Sequence, residues 1–316
     1  MNRNSVLAHK CYCCDEIITP AKISDEHIIP NALGGKLKSR TLLCSDCNSK
    51  LGSEVDAPFC QQMGFVTNRL GIKRERGELP AIKARRADSG DPIFIESDRT
   101  IFAPRTTIQK TENGYEIECD QKNIGKAMET LKRKVPNVQF SKVEPFESDL
   151  QFHLESDFGG IACYRAVTKM ALNYYLHRGG SAAPVSKAIS FVKSGGNNCF
   201  VILYYPSRDV LPRRIAKQIT HVVTIRGDPV QKFLYAYVEL FTAFRFLVSL
   251  SETYAGNVLN ESYCFDLQQR REIKTETQFY ESRTTVADIA AAPAHIEAFK
   301  KHTKDLFAGD LKINIS

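Results

Sequence analysis

The 316 residues contain no P-loop, no glycine pattern of a dinucleotide site, no G-x-S-x-G turn and no internal repeat. The first three absences remove the common signatures of phosphate-cradling NTPases, dinucleotide-dependent redox enzymes and serine hydrolases. The amino-terminal MNRNSVLAHK lacks the apolar core of an export signal, so a cytoplasmic location is expected. The most apolar stretch, residues 233–250, is interrupted by Glu239 and Arg245 and is rich in aromatic and β-branched residues. That composition predicts paired core strands rather than a membrane helix. What is present is ordinary for a soluble globular chain: 43% apolar and 25% charged residues, with length for about two domains. Ten cysteines without an export signal point to metal ligands or free thiols rather than a disulfide framework.

The chemistry concentrates in residues 11–56, CYCCDEIITPAKISDEHIIPNALGGKLKSRTLLCSDCNSKLGSEVD. Cys11 with Cys14 and Cys44 with Cys47 form two C-x2-C knuckles, and a pair of knuckles can close a tetrahedral thiolate site for structural Zn²⁺. Within the first knuckle only Cys11 with Cys14 gives the two-residue spacing, so Cys13 is expected to face the small core. Between the knuckles, residues 23–29 read as a strand that ends at Pro30. Asn31 to Gly35 reads as a loop whose glycines allow positive φ, residues 41–43 as a second short strand, and a helix is expected from Ser45, with Gly52 its weak point. Such a frame would hold Glu26 and His27 opposite Asn48. A histidine can take a proton from water, while a carboxylate and an amide oxygen are hard ligands suited to Mg²⁺. Taken singly, His27 reads first as a strand histidine, Glu26 as a solvated carboxylate and Asn48 as a helix cap; it is their joint occurrence inside the knuckles that points to catalysis.

The segments E-H-I-I-P, A-L-G-G and L-L-C-S-D-C-N-S-K-L-G-S-E-V-D resemble the HNH endonuclease family, in particular its four-cysteine subgroup, whose site is a ββα-metal fold. The resemblance implies that His27 is the general base, that Glu26 binds the catalytic Mg²⁺ or Mn²⁺ and that Asn48 completes the metal site, with Asp56 an additional carboxylate. It also implies hydrolysis of DNA phosphodiesters, most simply in double-stranded DNA, in a setting such as bacterial defence or mobile-element cleavage. Two family positions differ: Ser39, Arg40 and Thr41 stand where a loop asparagine is usual, and Gly52 stands near the place of the last histidine.

The net charge of +7 is unevenly spread. Residues 69–86 carry seven basic residues, Arg69, Lys73, Arg74, Arg76, Lys83, Arg85 and Arg86, against two glutamates. They are candidates for contacts to a nucleic-acid backbone, or else form a solvated linker, and the ADSGDP run at 87–92 reads as a boundary. Beyond it a hairpin is expected at 106–119, helices at 121–135, 160–177 and 184–192, and strands at 151–154, 199–205, 221–225, 233–239 and 244–250, the last four as an antiparallel meander. A helix at 285–307 is broken by Pro293. Arg165 and Lys169 share one face of the 160–177 helix and are expected to be a surface pair, or else a contact to phosphate. That helix and the H-V-V-T-I strand resemble the region that follows many HNH domains of this subgroup. His221 reads as structural, and Cys60, Cys119, Cys163, Cys199 and Cys264 as core or incidental. The expected class is α+β, with a zinc-stapled ββα head at 1–68, a basic arm at 69–92, and a mixed α/β domain with an antiparallel sheet at 93–316 for recognition, regulation or oligomerisation. The competing readings are a zinc module that binds nucleic acid or a protein partner without cutting, and a nuclease gated by a ligand of the carboxyl-terminal domain.

Overall fold

The amino-terminal segment folds around its cysteines. A computed structural model describes residues 9–75, 77–87, 89–96, 101–102, 106–112, 114–119, 123–140, 152–153, 157–196, 201–282, 294–306 and 314–315. The first knuckle turns at Asp15, which adopts φ 62°, while its amide donates to the Cys11 carbonyl. Ile23 then bridges Cys44, bringing the second knuckle alongside the first. Strand β1 (Glu26–His27) pairs antiparallel with β2 (Lys38–Ser39). The expected second strand at 41–43 is instead irregular. Its carbonyls are taken by Tyr12 N–H (Leu42) and by the Ser24 hydroxyl (Leu43), and the turn after β2 is closed by Ser39 Oγ against Thr41. Of the two glycines, Gly34 uses its freedom at φ 92°, whereas Gly35 is needed for closeness: a Cβ there would lie 1.8 Å from the Ile29 carbonyl oxygen.

Helix α1 (Ser45–Leu51) does not stop at Gly52 but widens into a π-helical turn, Gly52–Asp56, and continues as α2 (Ala57–Gln62). Pro58 gives the reason. It has no N–H for the Glu54 carbonyl and its ring crowds that oxygen, so the helix opens locally instead of breaking. Arg165 Nη1 reaches the Glu54 carbonyl at 3.5 Å.

Gly64–Ser156 forms a separate compact unit. Helix α3 (Gly64–Arg69) leads to β3 (Ile82–Arg86), β4 (Pro92–Ile95) and β5 (Ile101–Phe102); the hairpin of β6 (Thr107–Thr111) and β7 (Gly114–Glu118) follows, then α4 (Ile124–Lys134) and β8 (Phe152–His153). A four-stranded sheet runs β5-β4-β3-β8 over a small core of Ala84, Ile93 and Ile95. Residues 69–92 are therefore not a free linker: β3 and the first residue of β4 fall within them and pair, and the described residues of the ADSGDP run join the two strands. Asn68 pins this unit internally, donating to the carbonyls of Pro80 and Ile95.

The other compact unit joins Met1–Met63 to Asp157–Ser316, so the head belongs to the same unit as the carboxyl-terminal half. After β9 (Asp157–Phe158) come α5 (Gly160–His177), α6 (Ser186–Ser194), β10 (Val201–Leu203), β11 (Thr220–Asp228), β12 (Phe233–Leu240), β13 (Phe244–Ser251), β14 (Leu259–Asp266), β15 (Arg271–Glu272), α7 (Ala294–Leu306) and β16 (Asn314–Ile315). The antiparallel sheet has order β10-β13-β12-β11-β14-β15. The 233–250 run is its central hairpin, turning through a three-residue loop in which Phe241 and Thr242 adopt φ 53° and 65°. Strands β11 and β12 are buried almost throughout, so both faces are covered. Phe279, Tyr204, Val210 and Leu211 pack on the face that carries Tyr235 and Tyr237. Helix α5 matches its expected limits and is buried on nearly every side from Ala166 to Tyr175, as befits a helix between layers. Strands β14 and β15 were not legible in the alternation pattern. Arg76, Asn113, Cys199 and residues 283–293 lie outside the described residues.

Candidate active site

The four knuckle sulfurs converge. Those of Cys11, Cys14, Cys44 and Cys47 all lie within 4.8 Å of one another, and Cys14 Sγ and Cys44 Sγ are 3.8 Å apart. A tetrahedral zinc with bonds near 2.3 Å separates its sulfurs by about 3.8 Å, so the donor set fits that ion. Burial, with the neighbouring sulfurs of Cys44, Cys14 and Cys11, pushes the Cys47 thiol far above the ordinary range; four thiolates gathered this closely need a cation. Cys13 is buried outside the set, and its carbonyl accepts from Lys193 Nζ at 2.6 Å.

Successive side chains on a strand point to opposite faces, so β1 sends His27 and Glu26 in different directions. His27, half-buried, pairs with Lys38 across the ladder. Asn48, in the first turn of α1, donates from Nδ2 to Ser24 Oγ at 3.1 Å and to the Asp25 carbonyl at 3.3 Å. Its amide thereby clips the helix to the residues that lead into β1. Beside it, Asp25 meets Arg40 Nε at 2.6 Å on the exposed rim.

Glu26 points inward and is 2% exposed. Its Oε1 accepts from Lys169 Nζ at 2.5 Å and from Asn173 Nδ2 at 2.6 Å. Lys169, also 2% exposed, donates to Asp56 Oδ2 at 2.8 Å. The Asn173 oxygen in turn accepts from the Tyr12 hydroxyl at 2.9 Å. Burial raises both carboxyls above their usual values and the Lys169 ammonium pulls them partly back. For Lys169 the burial is outweighed by the two carboxylates, which hold it above the usual lysine range and so charged. Lys169 is not the surface residue its helical spacing suggested. Arg165, one turn earlier, donates to the carbonyls of Val192 and Lys193.

The expected site residues therefore fall into two groups. Glu26 and Asp56 share Lys169, while Asn48 lies on the approach to His27. Asn48 and Asp56 stand eight residues apart along one helical path, about 12 Å of rise, which is too long for both side chains to reach a single ion easily. Sequence reasoning missed Asn173 and Tyr12. The available signal was the four-residue spacing of Arg165, Lys169 and Asn173 along one stripe of α5.

His221 is structural. It is fully buried; its Nε2 lies 2.8 Å from the Leu33 carbonyl and its Nδ1 accepts from Phe241 N–H, which sets the tautomer with the proton on Nε2. It fastens the loop after β1 to the sheet. Of the basic stretch, Arg69, Lys73, Lys83 and Arg85 are exposed, and Arg74 and Arg86 are half-buried. Lys83 and Arg85 flank the buried Ala84 and so share the outer face of β3.

Residues 11–64 match the HNH endonuclease family. No curated protein and no solved structure matches the chain. The head is thus an HNH domain carrying a cysteine cluster, and among the described residues no helix is long and apolar enough to cross a membrane.

Proposed function

We propose that the protein is a divalent-metal-dependent endonuclease that hydrolyses phosphodiester bonds in DNA. An HNH domain implies a nucleic-acid substrate; the finer assignment rests on one observation. Asn48 is hydrogen-bonded to the residues that lead into His27, inside a frame closed by four cysteines that fit zinc. That arrangement supports a histidine and an amide acting together at one phosphate.

In this reading His27 takes the proton from the attacking water as general base. Asn48 has its Nδ2 committed to Ser24 and Asp25, just ahead of the strand, which leaves Oδ1 to serve as the hard ligand atom. Glu26 offers Oε2, the oxygen opposite the one held by Lys169 and Asn173. Asp56, bound to Lys169, sets the charge around Glu26. A bound Mg²⁺ or Mn²⁺ supplies Lewis-acid polarisation of the phosphate and charge stabilisation at the leaving oxygen. Zn²⁺ on Cys11, Cys14, Cys44 and Cys47 holds the frame and takes no part in the chemistry. Arg69, Lys73, Arg74, Arg76, Lys83, Arg85 and Arg86 are proposed contacts to the DNA backbone, a role that makes binding fall steeply with salt.

The test is a plasmid assay in Mg²⁺, Mn²⁺ or EDTA. The expected result is nicking or linearisation with either metal and none with EDTA. Plasmid that is bound, as judged by mobility shift, yet never cut under any of these conditions would support a binding module instead.

A further inference from the structure

We infer that Lys169, Asn173 and Tyr12 are positioning residues of the nuclease centre, which hold Oε1 of Glu26 so that Oε2 is the atom presented to a divalent cation. The inference rests on the nuclease reading and extends it to Tyr12 within the first knuckle and to Lys169 and Asn173, more than 100 positions beyond the head motif. Both hydrogen bonds to Glu26 end on the same oxygen, one from Lys169 and one from Asn173. A carboxylate anchored through one oxygen has its second oxygen fixed in direction, the usual arrangement behind a metal ligand. The anchor is itself anchored. An amide carries its oxygen and nitrogen in one rigid plane, so the Tyr12 hydroxyl on Asn173 Oδ1 turns Nδ2 toward Glu26.

Tyr12 lies between Cys11 and Cys13 in the first knuckle, and its own N–H is bonded to the Leu42 carbonyl. The line of contacts thus runs from the zinc knuckle through α5 to the carboxylate that precedes His27. Lys169 adds the charge balance. Two carboxylates against one ammonium leave one negative charge in excess, and Asp56, with a side chain 20% exposed, is the member nearest solvent. That excess favours a cation at the site. Fold stability alone does not call for such a cluster, because a buried ion pair is seldom more stabilising than apolar residues of the same volume.

The experiment measures Mn²⁺ affinity by calorimetry for the full chain as wild type, Asn173→Leu, Tyr12→Phe and Lys169→Met, alongside zinc content, thermal midpoint and plasmid cleavage. Asn173→Leu and Lys169→Met are expected to lose roughly 10- to 100-fold in Mn²⁺ affinity, and Tyr12→Phe less, with zinc unchanged. Turnover should fall at fixed Mn²⁺ and recover as Mn²⁺ is raised, while KM for DNA holds; a purely structural role would not produce that recovery. If Lys169→Met does not fold, Asn173→Leu and Tyr12→Phe decide the matter. Variants that bind Mn²⁺ and cut as wild type does would overturn the inference alone. A wild type that neither binds Mn²⁺ nor cuts would overturn the nuclease reading and the inference with it.

Discussion

His27 sits on a two-residue strand with no room for error, since a shift of one position would exchange it with Glu26 and send the imidazole inward. Two side-chain attachments guard that register: Glu26 is tied to Lys169 and Asn173, and Asn48 is tied to the residues just before it. His27, Asn48 and the four cysteines were legible in the sequence because their spacing is local. Lys169, Asn173 and Tyr12 were not, because each meets its partner across 143 to 161 positions. His221 carries a measurable consequence at this scale. Burial lowers it from 6.5 to about 4, so the folded chain refuses a proton that the unfolded chain accepts. Its stabilising share is complete above about pH 6.5 and is lost as pH falls toward 4, a difference of about 3 kcal/mol in all. Denaturant titrations from pH 7 to pH 4.5 should show a shallower fall in stability for His221→Gln than for wild type, from a lower starting point. Equal slopes would remove His221 as the source.

Among the elements, α5 was the clearest in the sequence, with helical spacing along its length and glycines at 179 and 180 to end it. The expected strand at 41–43 failed because its backbone groups bond to the knuckle and to Ser24 rather than to a neighbouring strand. Gly52 read as a weak point of the helix, and there the helix widens rather than breaks, because Pro58 is absorbed by a π-helical turn. The knuckles are elements only while the sulfurs are held together. If Zn²⁺ holds the four sulfurs, as proposed, its removal would leave Cys11 and Cys44 buried with no cation to balance them and would release Tyr12 from its place against Asn173. Treatment with a strong chelator should therefore abolish cleavage, and Mg²⁺ alone should not restore it; readdition of Zn²⁺ with Mg²⁺ should. Restoration by Mg²⁺ alone would mean that the cysteines are dispensable for the frame.

For the whole molecule, the sequence suggested a zinc-stapled head followed by a basic arm and a second domain. The structure instead closes the head against the chain's far half: α5 neutralises Glu26, Lys193 caps the first knuckle and His221 holds the loop after β1. Composition could not reveal this, because charged residues at helical spacing look solvated until their partners are known. A fragment ending at residue 63 would leave Glu26, Phe59 and Leu33 without their surroundings, and it should show no cooperative melting even with Zn²⁺, whereas the full chain melts cooperatively. The central claim remains that His27 activates water in a metal-dependent cut, and one comparison tests it most directly. Plasmid cleavage in Mn²⁺ is followed for wild type and His27→Ala, with zinc content and thermal midpoint matched between the two. The account predicts that the variant keeps its zinc and its melting temperature and cuts at least 100-fold more slowly, the lower end of what a general base contributes. A variant that cuts at the wild-type rate would contradict it.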